Sequence, residues 1–93
     1  MPALTPDEAQ NRLGSLPEWR IEDGELTRTF AFKDFVAALS FVNRVGQAAE
    51  AAGHHPDIDI RYNKVRLALI THDAGGLTGK DFDLAAQANA LAR

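Results

Sequence analysis

Apolar side chains recur along the chain with two different spacings, and one of them, every three or four residues, is typical of amphipathic helices. It is clearest over residues 33–53, a stretch that ends at a glycine suited to stopping a helix. A shorter helix is predicted to begin at the capping box that Thr5 forms with Glu8. A second capping box, formed by Thr78 with Asp81, predicts the start of the last helix.

The other spacing, an alternation of apolar and polar residues, predicts two β-hairpins between the helices. Asp23-Gly24 is a strong turn signal for the first hairpin. For the second hairpin, residues 57–70, we predict a turn at Asn63-Lys64, with Tyr62 packed in the core. The order α-β-β-α-β-β-α predicts an α+β fold in which three helices cover one face of a four-stranded antiparallel sheet.

Composition narrows the class of protein. A length of 93 residues fits a single domain, residues 1–93, and 45% hydrophobic residues is ordinary for a soluble globular chain. The net charge of -3 argues against a nucleic-acid or membrane partner held by bulk charge. The absence of cysteine excludes disulfides, thiolate zinc sites and cysteine nucleophiles. Neither a signal peptide nor a membrane span is evident in the sequence, so we expect a cytoplasmic protein.

All histidines lie at the two ends of one segment, with His54 and His55 after the long helix and His72 after the second hairpin. The predicted turn pairs Tyr62 with position 65, which places position 55 opposite position 72 and brings the imidazoles together at the rim of the sheet. Imidazole gains and loses protons near neutral pH, so the cluster suits acid–base chemistry. Glu50, one helical turn before His54, is placed to orient a histidine.

Two other interpretations of the cluster stay open. Three histidines with a carboxylate are typical of zinc sites, although adjacent strand residues point to opposite faces, which makes joint chelation by His54 and His55 difficult. The third interpretation is a cluster without function. From the residues alone, acid–base chemistry or ligand binding ranks first and metal binding second. Asp81 has a purely structural interpretation as the capping partner of Thr78.

Several short motifs resemble those of the pterin-4a-carbinolamine dehydratase family, also called 4a-hydroxytetrahydrobiopterin dehydratase. They are His54-His55-Pro56-Asp57, Tyr62-Asn63-Lys64-Val65, Thr71-His72-Asp73 and Gly76-Leu77-Thr78 with Asp81. The resemblance extends from about Leu4 to Leu91, and it implies the same fold that the hydrophobic pattern predicts. One departure is Ile58, where many relatives have an aromatic residue.

The resemblance implies dehydration of a 4a-hydroxy-tetrahydropterin to the quinonoid dihydropterin, in tetrahydrobiopterin recycling, without a metal or an organic cofactor. It implies that His54 and His72 form the acid–base pair and that His55 completes the catalytic set by positioning the pterin. The residues that it associates with substrate binding are Glu50, Pro56, Thr71, Asp73, Ala74 and Asp81.

The resemblance also bears on partners. It implies a homodimer or homotetramer and a functional link to phenylalanine hydroxylase, whose spent cofactor is the pterin. The alternative is a non-enzymatic interaction protein, such as a dimerisation cofactor of a transcription factor or an assembly factor for a carbon-fixing enzyme. The intact histidine set favours the enzyme, because a scaffold would not need it.

Overall fold

Helices and strands follow one another in the predicted order. In the computed structural model, which describes residues 2–93, the helices are α1 (Pro6–Leu13), α2 (Phe35–Ala52) and α3 (Gly79–Leu91). The strands are β1 (Arg20–Glu22), β2 (Glu25–Ala31), β3 (Asp57–Arg61) and β4 (Lys64–Leu69). A single 3-10 turn, His72–Ala74, lies between β4 and α3. The predicted α+β class is confirmed.

The strands form one antiparallel sheet in the order β1-β2-β4-β3, so β4 lies inside the sheet and β3 at its edge. All three helices cover the same face of this sheet. The core between the two layers includes Leu26, Phe30, Phe41, Val65, Leu67 and Ala85, each at most 3% exposed. Trp19 also packs there. Within residues 2–93, the helices are too short or too polar to cross a bilayer.

The caps that predict the helix ends are present. At the start of α1, the Thr5 N–H donates to the Glu8 carboxylate at 2.8 Å and the Glu8 N–H donates to the Thr5 hydroxyl at 3.2 Å. These bonds lower the pKa of Glu8 below its ordinary value. A lowered pKa stabilises the fold at neutral pH, and this contribution is lost as the pH falls through the lowered value.

The second hairpin has a register that differs by two residues from the predicted one. Arg61 lies opposite Lys64, and the turn is therefore Tyr62-Asn63. The cause is a contact with Phe32, whose N–H donates to the Asn63 carbonyl at 2.9 Å and whose carbonyl accepts from the Asn63 side-chain amide at 2.7 Å. Tyr62 consequently sits in the turn with a φ of 53° and is 67% exposed, so the prediction that it packs in the core is wrong.

A polar cluster holds the last turns of α3 against the sheet. The Trp19 indole N–H donates to Oδ1 of Asn89 at 2.8 Å, and the Arg28 guanidinium donates to the same oxygen at 2.5 Å. Arg28 also lies over the ring of Phe30, 4.0 Å from its centre. One amide oxygen therefore satisfies two donors that the core partly covers.

We expect Asn89→Ala to lower the free energy of unfolding by about 1–3 kcal/mol, because it leaves the buried Trp19 N–H without an acceptor. Gln87→Ala, exposed on the same helix, is the control and should change it by less than about 0.5 kcal/mol. Urea unfolding at one fixed protein concentration measures both values. Equal stability of the two variants would contradict the role of this cluster.

Candidate active site

One surface cavity of about 270 Å³ gathers every histidine of the chain. It lies where the end of α2, the loop after β4 and the start of α3 meet. Its lining residues are Gly53, His54, His55, Ile70, Thr71, His72, Asp73 and Lys80. The structure does bring the imidazoles to one place, although not by the route that the sequence predicts.

The route differs because His72 does not lie opposite a strand residue. With Arg61 paired to Lys64, the register of the hairpin no longer places position 55 opposite position 72. His72 instead begins the 3-10 turn. The loop is closed by Thr71, whose N–H donates to the Gly76 carbonyl at 3.1 Å. This closure turns the loop so that His72 borders the same cavity as the end of α2.

The end of α2 sets the direction of the other two histidines. Gly53 has a φ of 62°, a left-handed conformation that glycine adopts without steric cost. Its N–H donates to the Glu50 carbonyl at 3.2 Å, and the His54 N–H donates to the Ala49 carbonyl at 3.1 Å. These bonds fix the backbone that carries His54 and His55 out of the helix.

His54 is anchored by a carboxylate that solvent does not reach. Nε2 of His54 lies 2.5 Å from Oδ1 of Asp81, and the two side chains are 11% and 0% exposed. Oδ2 of Asp81 accepts hydrogen bonds from the Thr71 hydroxyl and from the Thr78 N–H, both at 2.9 Å. Asp81 therefore caps α3, as predicted, and also binds His54.

The other ionisable groups at the cavity are open to solvent. Nε2 of His55 lies 2.5 Å from Oε1 of Glu50, and these side chains are 61% and 79% exposed. His72, Asp73 and Lys80 are exposed as well. A ligand in the cavity would thus meet imidazoles, a carboxylate and an ammonium group.

The residues expected to bind substrate occupy different places. Thr71 and Asp73 line the cavity itself, whereas Pro56 and Ala74 are not among its lining residues. Glu50 and Asp81, as described above, reach the cavity through the histidines that they contact. Lys80 was not predicted. It directly precedes the carboxylate that caps α3, and this position is the signal that could have identified it.

A second cavity of similar volume carries no acid–base groups. It is lined by Ala3, Leu4, Pro6, Ala9, Gln10, Ile21, Gly24, Gly75, Gly76 and Leu77. Across residues 2–93, no three histidine, aspartate or glutamate side chains are placed to hold one metal ion. Of these two cavities, the histidine-lined one has the side chains that suit proton transfer.

The fold and this cavity define a small α+β protein with a histidine-lined cavity. The family model described as pterin 4 alpha carbinolamine dehydratase matches residues 2–91. A protein of Acidobacterium capsulatum is 63% identical over 91 residues, which cover 98% of this chain and 99% of the relative. A protein of Chloroflexus aurantiacus is 60% identical over 86 residues, 92% of each chain. Both are named provisionally as pterin-4-alpha-carbinolamine dehydratases. The chain belongs to this family, as its motifs predict.

Solved structures share the fold. A Brucella melitensis protein described as a transcriptional coactivator/pterin dehydratase superposes with a TM-score of 0.94 at 36% identity, covering 98% of this chain and 99% of that one. A pterin dehydratase-like protein described as a RuBisCO assembly factor of the alpha-carboxysome superposes with a TM-score of 0.70 at 26% identity. It covers 81% of this chain and 89% of its own. The same fold therefore occurs in proteins that are described by different functions.

We expect Asp81→Ala to lower the free energy of unfolding by about 2–4 kcal/mol, because Thr71, Thr78 and His54 lose a shared acceptor in a buried place. Asp83→Ala, exposed on the same helix, should change it by less than about 0.5 kcal/mol. Urea unfolding curves of the two variants and the wild type measure the difference. If Asp81→Ala proves as stable as Asp83→Ala, the network around this carboxylate does not stabilise the fold.

Proposed function

We propose that this chain dehydrates a 4a-hydroxy-tetrahydropterin, giving the quinonoid dihydropterin and water. The observation that carries the proposal is the convergence of three imidazoles on one cavity. Membership of the family supports a pterin as the ligand. Such a reaction returns the spent cofactor of aromatic amino acid hydroxylases to tetrahydrobiopterin recycling, so the proposal includes a functional link to an enzyme such as phenylalanine hydroxylase.

The reaction requires proton transfers and no oxidation or reduction. The bond between the 4a carbon and its hydroxyl oxygen breaks, and the departing oxygen takes up a proton and leaves as water. The neighbouring ring nitrogen loses its proton, and the electrons of that N–H bond form the carbon–nitrogen double bond. One general acid and one general base are therefore needed, and imidazole serves in either role near neutral pH.

The geometry supports a division of roles among the histidines. His54, held by a buried carboxylate, and His72, exposed on the opposite loop, are the proposed acid–base pair. His55 would position the pterin, with its ring steadied by Glu50. These assignments leave the cavity open between the proposed pair, where a flat bicyclic ligand would lie.

The remaining residues would bind or shape the ligand site. Asp73 lines the cavity and would contact the pterin through its side chain, Thr71 lines it and would contact the pterin through its backbone, and Lys80 adds a cation at its edge. Pro56 and Ala74, which directly follow the lining segments 53–55 and 70–73, would act by holding the backbone of those segments. Asp81 would act on the substrate only through His54, because its own side chain is fully covered.

In an assay with chemically generated 4a-hydroxy-tetrahydropterin, we expect the wild type to accelerate dehydration over buffer. His54→Ala and His72→Ala should each lower kcat by about 10²-fold, the size of effect typical for loss of a general acid or base. His55→Ala should mainly raise KM, because it is proposed to bind rather than to transfer a proton.

Asp59→Asn, on the opposite face of the sheet and exposed, is the control and should leave both constants unchanged. Circular dichroism and urea unfolding show whether each variant is folded. No acceleration by folded wild type, or full activity in all three histidine variants, would overturn the proposed reaction.

An exposed apolar stripe on α2 supports the further proposal of a homodimer or homotetramer. Phe35, Val36 and Leu39 are 44%, 72% and 37% exposed, and Ile58 of the adjacent edge strand is 38% exposed. Contiguous apolar surface of this kind is typical of protein–protein contacts. We infer that a second copy of the chain covers this stripe, since association adds buried apolar area to a core of modest size.

We expect Leu39→Glu to shift the wild-type oligomer to monomer, because it places a charge in an apolar interface. Ala51→Glu, exposed at the far end of the same helix, should keep the wild-type mass. Light scattering after size exclusion, or sedimentation, measures the mass at matched concentration. A wild type that is monomeric at high concentration would contradict the proposal.

The same stripe favours one alternative, a non-enzymatic interaction function in which another protein covers it. The assembly-factor description of the structural relative shows that this fold occurs in such a role. The assay separates the two functions. Absence of dehydratase activity, with partner binding that survives replacement of all three histidines but is lost in Leu39→Glu, would favour the alternative.

A further inference from the structure

Asp81, Thr71 and Thr78 form a hydrogen-bond network behind His54. Counting the protons on their side chains shows which group donates and which accepts in each bond. Oδ2 of Asp81 accepts a hydrogen bond from the Thr71 hydroxyl. That hydroxyl has one proton, so across its 2.8 Å contact with Thr78 the Thr78 hydroxyl must be the donor. The Thr78 oxygen in turn accepts from the Lys80 N–H at 3.3 Å. Each proton in this chain therefore points towards the carboxylate.

The direction of the chain determines which nitrogen of His54 carries the proton. Asp81 already accepts from Thr71 and from the Thr78 N–H on one oxygen, and a carboxylate in this arrangement has only acceptors to offer. The group that faces its other oxygen, Nε2 of His54, must then be an N–H. The neutral ring is consequently protonated at Nε2 and unprotonated at Nδ1.

We propose that Thr71 and Thr78 are positioning residues, which hold the Asp81 carboxylate so that His54 keeps the Nε2–H tautomer and exchanges protons with the substrate through Nδ1. The catalytic consequence rests on the proposed function, whereas the tautomer itself does not. Neither threonine needs to touch the reacting atoms for this role.

Because both threonines are buried, water cannot easily replace their hydroxyls as hydrogen-bond donors. Thr71 is 9% exposed and Thr78 is 1% exposed. Water has little access to the space that a missing hydroxyl would leave, so the carboxylate would lose a donor without gaining another. A carboxylate with fewer fixed donors can turn away from Nε2 of His54, and the Nε2–H tautomer would then be less strongly selected. In water a neutral imidazole exchanges between both tautomers, so selection by the protein matters for a proton-transfer step.

The test begins with Thr71→Val, which keeps the shape of the side chain and removes the hydroxyl. Nitrogen-15 NMR of histidine-labelled protein, at a pH where His54 is neutral, reports the proton on each ring nitrogen. We expect a single Nε2–H tautomer in the wild type and in Thr71→Ser, and a mixture of tautomers in Thr71→Val. In the dehydratase assay kcat of Thr71→Val should fall roughly fivefold to tenfold, about the effect of one hydrogen bond, with KM changed less than about twofold.

Thr27→Val is the matched control. Thr27 is also buried, at 3% exposed, but its hydroxyl donates to Glu22 at 2.8 Å, on the face of the sheet away from the cavity. This variant should keep both the tautomer and kcat. It separates the loss of a particular hydrogen bond from the general effect of removing a buried hydroxyl.

A second variant, Asp81→Asn, keeps the shape of the network and inverts the expected result. The amide has one acceptor oxygen, which the Thr71 hydroxyl and the Thr78 N–H both require. Its NH₂ group must then face His54, so the ring should change to the Nδ1–H tautomer, with kcat lowered on the order of 10²-fold or more. If the threonines do not orient this side chain, the amide turns its oxygen to His54 and the Nε2–H tautomer persists.

Three results would overturn the proposal: an Nδ1–H tautomer in the wild type, a Thr71→Val variant with wild-type tautomer and kcat, or an Asp81→Asn variant that keeps Nε2–H. If Thr71→Val does not fold, Asp81→Asn and Thr71→Ser decide the question. An Nε2–H wild type with the expected shifts but without dehydratase activity would support the positioning role and contradict the proposed reaction.

Discussion

The fold and the site both depend on the burial of one charged group, the Asp81 carboxylate. A buried carboxylate costs several kcal/mol unless its oxygens are fully hydrogen-bonded. Here the donors come from the end of α2, from the loop after β4 and from the first turn of α3. The requirement to satisfy this group therefore fixes three separate segments relative to one another, and the histidine cavity is the space that they enclose.

Features set by neighbouring residues could be predicted from the sequence. The capping boxes at Thr5 and Thr78 and the left-handed stop at Gly53 depend on contacts within a few residues, and all are present. The turn of the second hairpin could not be predicted in this way. It is set by hydrogen bonds between Asn63 and Phe32, which are far apart in sequence, and no local preference encodes them.

The sequence predicts which residues belong to the candidate site better than it predicts how they are arranged. The family motifs include the histidines and Asp81, and the resemblance also associates Glu50 with the site. The hydrogen bond between His54 and Asp81 required the three-dimensional structure, because capping alone explains an aspartate at that position. Lys80 belongs to none of the quoted motifs, and its position directly before Asp81 is the one sequence feature that links it to the cavity.

The shifted hairpin has a consequence for how mutations are tolerated. Because strands alternate faces with a period of two, a slip of two residues leaves each strand residue on the same face of the sheet, so the hydrophobic alternation alone does not exclude it. The rim of the sheet is more sensitive to such a slip, because the slip changes where the chain leaves β4 and enters the loop that carries His72. The two hydrogen bonds between Asn63 and Phe32 therefore help to set the position of a cavity that they do not contact. Selection for activity would therefore also act on Asn63, although it lies outside the cavity.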